Sequence, residues 1–202
     1  MKNIFVCFLF VFFLPLFGCS KDLAGNQKNP WHHWEGTFRN PPNSISREVS
    51  VFDRLKFFSS LLLARNGSLE LGALEEHVLG SEEALSQLAA SAESNSITWI
   101  GHSTFLVRIN GLTILTDPIF SDRASPLSFA GPKRRALLNI NIKNLPLIDV
   151  VIVSHSHYDH LDTRTLDALP GKESMTAVVP LGLGKFFTDR GFVDVREVDW
   201  YD

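Results

Sequence analysis

Three of the chain's seven histidines fall within six residues, in the run His155-Ser156-His157-Tyr158-Asp159-His160. Imidazole and carboxylate at this density are ligands for divalent metals, Zn2+ first, with Mn2+ and Fe2+ also suited to the donor set. In extended backbone alternate side chains share a face, so His155 and His157 converge on one ion. Once the chain turns, Asp159 and His160 point toward a neighbouring position. Two ligand sets on one short loop are what a two-metal site needs, with ions roughly 3.5–4 Å apart sharing a hydroxide. The alternative is a solvated polar loop. Incidental histidines, however, do not usually crowd around a carboxylate at a strand end.

The strand that must deliver this loop is residues 149–154, Asp-Val-Val-Ile-Val-Ser. Its continuous β-branched run predicts a strand buried on both faces. Upstream, 97–100 and 104–109 read as strands. Asn110-Gly111 then turns the chain into 112–116, because both turn positions must tolerate positive φ. Downstream the pattern predicts a helix from Asp162 as N-cap to Leu169, a strand at 176–179, a short helix at 184–190 and a strand at 193–198. Such alternation predicts an α/β class with helices packed on a sheet. Val51, Leu55, Phe58 and Leu62 fall at helical spacing and predict an amphipathic helix over 49–64. Ser81 followed by Glu82-Glu83 opens another, with Leu85, Leu88, Ala89 and Ala92 on its buried side. His77 falls in a helical context without ligand spacing. Residues 19–48, rich in Asn, Pro and Ser, read as an irregular arm. Its Trp31-His32-His33-Trp34 segment belongs to that arm before it suggests a metal or membrane contact.

Composition narrows the partners. The 202 residues carry 19 Lys+Arg against 22 Asp+Glu, a net charge of -3. With no basic block there is little to meet a phosphate backbone, and nucleic acid is not an expected partner. At 45% hydrophobic and 20% charged, the chain is neither disordered nor a coiled coil. Six of its 16 Phe lie in the first 18 residues, where Lys2 is the sole charge. Residues 4–17 are uncharged, a length that fits a signal-peptide apolar segment and falls short of the roughly 20 residues that span a bilayer. Leu16-Phe17-Gly18-Cys19 resembles the lipobox of bacterial lipoproteins, although Phe17 is larger than usual there. The expectation is a signal peptide over 1–18, lipid attached at Cys19, and an exported, membrane-anchored lipoprotein of the bacterial cell envelope. An uncleaved hydrophobic anchor is the alternative. Cys7 would leave with the leader, so no disulfide is expected in the mature chain.

The spacing His-x-His-x-Asp-His resembles that of the metallo-β-lactamase superfamily. One branch of it, N-acylphosphatidylethanolamine-hydrolysing phospholipase D and its bacterial relatives, is also similar in other stretches. These are Ile97-Thr98-Trp99-Ile100-Gly101-His102-Ser103-Thr104-Phe105, Leu115-Thr116-Asp117-Pro118, Ser125-Pro126-Leu127-Ser128-Phe129-Ala130-Gly131-Pro132-Lys133-Arg134 and Asp199-Trp200-Tyr201-Asp202. The resemblance is dense over 97–202 and loose over 34–60. It implies an αββα sandwich, with 49–202 forming roughly its N-terminal half. It further implies that His155 and His157 hold a first divalent ion and Asp159 and His160 a second, Asp159 also handling protons as a catalytic residue. Asp117 would support the metal loop from behind its ligands without binding the ion, its alternative being a turn residue before Pro118. His102 reads as a hydrogen-bonded structural histidine near the site, with a ligand role as its alternative. Lys133-Arg134-Arg135 suits either a substrate phosphate or a solvated face.

In that family a third histidine, a bridging aspartate and a last histidine follow the Asp-Trp-Trp-Asp-like segment. The expectation is therefore that these 202 residues hold four of seven ligands, with half a core and an exposed sheet edge that leave them marginally stable alone. The expected activity is metal-dependent hydrolysis of phospholipase D type, with membrane lipid as both anchor and substrate. The alternatives are a lactonase or ester hydrolase of the same fold and a truncated non-catalytic lipoprotein.

Overall fold

In the first unit, β1 (His33–Trp34) pairs antiparallel with β2 (Thr37–Phe38). Glu35 and Gly36 turn the chain with φ of 47° and 76°, the left-handed pair that a tight hairpin demands. The arm is thus less irregular than its composition predicts, since one turn suffices to pair two residues on each side. The computed structural model describes residues 30–44, 49–63, 77–134, 136, 138–200 and 202. The leader over 1–18, Cys7, Cys19 and Arg135 lie outside the described residues. The units divide after Arg47.

The second unit begins with α1 (Val51–Leu63). Its predicted apolar positions Val51 and Leu55 are exposed, so helical spacing located the helix without telling what it covers. Next comes α2 (Ser81–Ala90), which opens at Ser81 as predicted, has Gly80 as its N-cap, and buries Ala84 and Leu88. Ala89 and Ala92, expected inside, are exposed. Leu88 and the partly buried Leu85 pack on the core as predicted, and Ala84, at i, i+4 from Leu88, completes the stripe in place of Ala89 and Ala92. His77 lies in a turn before this helix and not within one.

The remaining strands form one sheet: β3 (Ser96–Gly101), β4 (Thr104–Ile109), β5 (Leu112–Thr116), β6 (Val150–Ile152), β7 (Thr176–Pro180) and β8 (Asp194–Val198), paired in that order. β4 pairs antiparallel with both β3 and β5, and β5 through β8 run parallel. Asn110 and Gly111, at φ 50° and 81°, make the predicted hairpin turn. Between the parallel strands the chain forms α3 (Thr163–Ala168) and α4 (Gly184–Thr188). Asp162 caps α3 as predicted, its side chain accepting from the Thr165 backbone N–H.

One register row, Thr98–Leu106–Leu115–Val151–Ala177–Val195, crosses all six strands. Its central members are buried with Leu88 of α2, Leu166 of α3 and Phe187 of α4. Helices therefore cover this face and build the core. The opposite face carries Ile97, Trp99, Phe105 and Ile109, all exposed. Here the expectation for β6 needs correction: Val151 and Val153 are fully buried, but Val150 and Ile152 are only partly so, because they sit on the open face. The architecture is mixed α/β with a central mixed sheet. Among the described residues, no helix is long and apolar enough to cross a membrane.

Candidate metal centre

The C-terminal ends of β3, β5 and β6 lie at the same end of the sheet, since β3 and β5 each run antiparallel to β4 and β6 runs parallel to β5. Ligands in open α/β sheets gather at such strand ends. His102 follows β3, Asp117 follows β5, and the histidine run follows β6. His102 and Asp117 both have positive φ, 52° and 34°, a strained conformation for non-glycine residues that the surrounding hydrogen bonds must hold. The Asp117 N–H donates to Ile152 O at 2.8 Å, and its carbonyl accepts from Thr104 Oγ1 at 2.7 Å.

The buried Asp117 carboxylate organises the loop. Oδ1 accepts from the Ser154 N–H at 2.7 Å, and Oδ2 accepts from Ser154 Oγ at 2.7 Å and from His160 Nδ1 at 2.9 Å. A carboxylate only accepts, so the His160 proton sits on Nδ1 and the Nε2 lone pair faces outward. Ser154 commits its one proton to Asp117, and its oxygen then accepts from His155 Nδ1 at 3.0 Å. This leaves His155 Nε2 unprotonated as well. That nitrogen lies 3.1 Å from Nδ1 of His157. Ser154 is a site residue that the sequence reading missed, taken there as the last residue of a strand. Its placement directly before the first histidine was the available signal.

A second set of donors adjoins the first. Asp159 Oδ2 lies 3.3 Å from His102 Nε2 and 3.7 Å from His160 Nε2. One donor atom from each of these three residues lies within 4.8 Å of the others. His102, expected as a supporting histidine, thus stands directly against Asp159. Ser103 Oγ donates to Asp159 O at 3.3 Å, and Trp99 Nε1 donates to His102 O at 2.9 Å. Charge follows the same design. Burial, then the neighbouring His160 and His157, lowers the His155 pKa below the usual imidazole value, which favours the neutral ring a metal requires. For Asp159, burial alone would raise the pKa. A backbone hydrogen bond, His160 and His102 outweigh it, and the carboxyl is held below its usual value.

The donor set fits a divalent ion. Ligand atoms about 2.0–2.1 Å from a tetrahedral centre stand roughly 3.3–3.4 Å apart, a spacing bracketed by the 3.1 Å between His155 Nε2 and His157 Nδ1 and the 3.7 Å between Asp159 Oδ2 and His160 Nε2. The centre borders a cleft of about 1130 Å³ whose wall includes Trp99, His102, His157, Tyr158, Asp159 and Arg134. His77 also lines that cleft. Arg134 is half-buried there, donating through Nη2 to Ile119 O at 2.6 Å and Ser121 O at 3.4 Å. It is a strut in the wall, whereas Lys133 is exposed.

Residues 96–198 match the family model of a beta-lactamase superfamily domain. An uncharacterised protein of Mycobacterium tuberculosis is 43% identical over 107 residues, 52% of this chain and 29% of its own length. N-acyl-phosphatidylethanolamine-hydrolyzing phospholipase D 1 of Caenorhabditis elegans is 40% identical over 109 residues, 51% of this chain and 31% of its own. A metal-dependent hydrolase of Thermodesulfovibrio yellowstonii is 30% identical over 94 residues, 46% of this chain and 32% of its own. The chain spans about three tenths of the length of these curated relatives.

Proposed function

This chain belongs to the beta-lactamase superfamily, through its domain over residues 96–198, and on that premise we propose that it acts as a metal-dependent hydrolase of phospholipase D type. Its substrates would be phosphodiesters of N-acylated phosphatidylethanolamine-like lipids. The observation that carries the hydrolase reading is the convergence of His155, His157, Asp159, His160 and His102 at adjoining strand ends beside a large cleft. Similarity to the nematode phospholipase D supports the lipid part. The expected leader and Cys19 would put the chain beside such lipids, which loss of acyl labelling in Cys19→Ser would test.

His155 and His157 would hold one divalent ion, and Asp159 and His160 a second, zinc being the best match for the donors. When bound, the ions supply Lewis acidity toward a phosphoryl oxygen and acidify water. Asp159 stays ionised near neutral pH and accepts a proton as water adds to phosphorus. His102 orients that carboxylate. Asp117 and Ser154 keep the facing nitrogens of His160 and His155 unprotonated, and Trp99 and Tyr158 shape the cleft wall that a lipid chain would meet. Breaking the phosphorus–oxygen bond on the ethanolamine side yields phosphatidic acid and an N-acylethanolamine.

Product analysis tests this on both the 202-residue chain and the longest product of its gene, supplied with N-acylphosphatidylethanolamine or with lactones and carboxyl esters. Release of phosphatidic acid is the expected result. Turnover of lactones or esters alone would replace the phosphodiester reading with carbonyl hydrolysis. Turnover of neither by either product would support a non-catalytic lipoprotein.

A further inference from the structure

Between Arg123 and Leu138 the sequence places four basic residues, Arg123, Lys133, Arg134 and Arg135, and no acid, in a chain whose acids outnumber Lys and Arg 22 to 19. The middle of this stretch is a loop with a tightly closed neck. Arg123 and Lys133 form an antiparallel bridge. The Ala124 N–H donates to Pro132 O at 3.1 Å, and the Arg134 N–H donates to Asp122 O at 2.7 Å. Arg123 Nη1 donates to Gly131 O at 2.6 Å, and Arg164 of α3 donates to Ser125 O at 3.0 Å. Gly131, at φ 97°, lies so close that a Cβ there would stand 2.6 Å from the Cβ of Ser125.

The neck is fixed, yet the tip is bare. Leu127 is 44% and Phe129 78% exposed. Two large apolar side chains held in water on one short loop, beside the exposed cations Lys133 and Arg164, mark a contact surface. The tip is too small for a stable protein interface, which needs roughly 800 Å² from each partner. Its chemistry instead matches a membrane surface: aromatic and aliphatic groups enter the headgroup–acyl boundary while nearby cations meet anionic headgroups. We propose that the loop over 125–131 docks on an anionic lipid surface, inserting Leu127 and Phe129, with exposed Lys133 and Arg164 beside the headgroups. Ala124, Pro132 and Lys133 of the neck also line the cleft. The docked loop therefore holds the cleft wall against the surface from which a lipid would enter. That last step rests on the lipid-hydrolase reading above; the docking itself does not.

The experiment uses the full chain with Cys7→Ser and Cys19→Ser and an environment-sensitive fluorophore at Phe129→Cys. Leu127→Cys serves as a second probe and Lys185→Cys, on α4, as the reference. Vesicles of phosphatidylcholine with phosphatidylglycerol are compared with phosphatidylcholine alone. The expected result is a blue shift and quenching by spin-labelled lipid at 127 and 129 but not at 185, stronger on the anionic vesicles. Lys133→Gln should raise the lipid concentration for half-maximal shift roughly fivefold. Unshifted probes at both tip positions on vesicles that carry the protein would overturn the proposal. So would a shift without vesicles that grows with protein concentration, which would make the tip a protein contact. No turnover is read, so the result stands apart from whether the chain hydrolyses lipids.

Discussion

Asp117 and His160, on loops that follow different strands, meet through a 2.9 Å hydrogen bond from His160 Nδ1 to the Asp117 carboxylate. That bond sets the histidine's tautomer and aims its other nitrogen at Asp159. Asp117→Asn puts a donor or a weaker acceptor in the same place and unfixes the ring. Metal affinity should fall roughly 10–100-fold, as measured by competition with a chromophoric chelator. Unchanged affinity would mean that the contact organises the loop without tuning a ligand.

Arg108 is a buried cation on the helix-covered side of β4. Its Nη1 donates to Leu88 O at 2.7 Å and Ser91 Oγ at 2.8 Å, satisfying the C-terminal end of α2. Arg108→Met should cost about 1–3 kcal/mol by removing the charged donor from the buried Leu88 carbonyl, which keeps only the longer 3.2 Å bond from Ser91 Oγ, seen as a lower urea midpoint. Lys185→Ala, which breaks the exposed 2.7 Å pair with Asp189, should cost less than about 1 kcal/mol.

Gly131→Ala tests the closed neck of the 125–131 loop. The added methyl meets Ser125 in a backbone conformation that alanine disfavours, so a loss of about 1–3 kcal/mol is expected. Faster proteolysis within the loop than in the unsubstituted chain is the accompanying readout.

Asp194 gives a pH dependence of definite sign. Hydrogen bonds from Arg196 and then Thr176 hold its carboxyl below the usual value. A depressed folded pKa stabilises the fold above the ordinary Asp value of about 3.9, and that contribution disappears as pH falls through the folded value. In Thr176→Val the folded pKa moves back toward the ordinary value. The loss of stability on acidification should then be shallower than in the unsubstituted chain, by denaturation at successive pH values. Identical acid limbs would contradict the assignment.

Much of this was legible in the sequence where local chemistry dominates. The Asn110-Gly111 turn, the Asp162 cap and the strands flanking the histidine run each depend on residues within a few positions. Burial was less legible. Residues 150–153 are uniformly apolar, but which of Val150 and Val151 faces the helices depends on pairing with β5 and β7. The exposed face of α1 and the burial of Ala84 rather than Ala89 in α2 are likewise tertiary outcomes. At the site, the two-histidine spacing could be read directly. The partnership of His102 with Asp159 and of Ser154 with Asp117 needed the sheet, because 57 and 37 positions separate those partners.

The central claim is that His155 and His157 jointly hold a divalent ion, their facing nitrogens 3.1 Å apart. It is tested most directly by metal content per chain, measured by elemental analysis after zinc loading and desalting. The unsubstituted protein, His155→Ala, His157→Ala and His77→Ala are compared side by side. Both His155→Ala and His157→Ala should lose bound metal, with His77→Ala matching the unsubstituted protein. Normal metal content in both loop variants would contradict the claim.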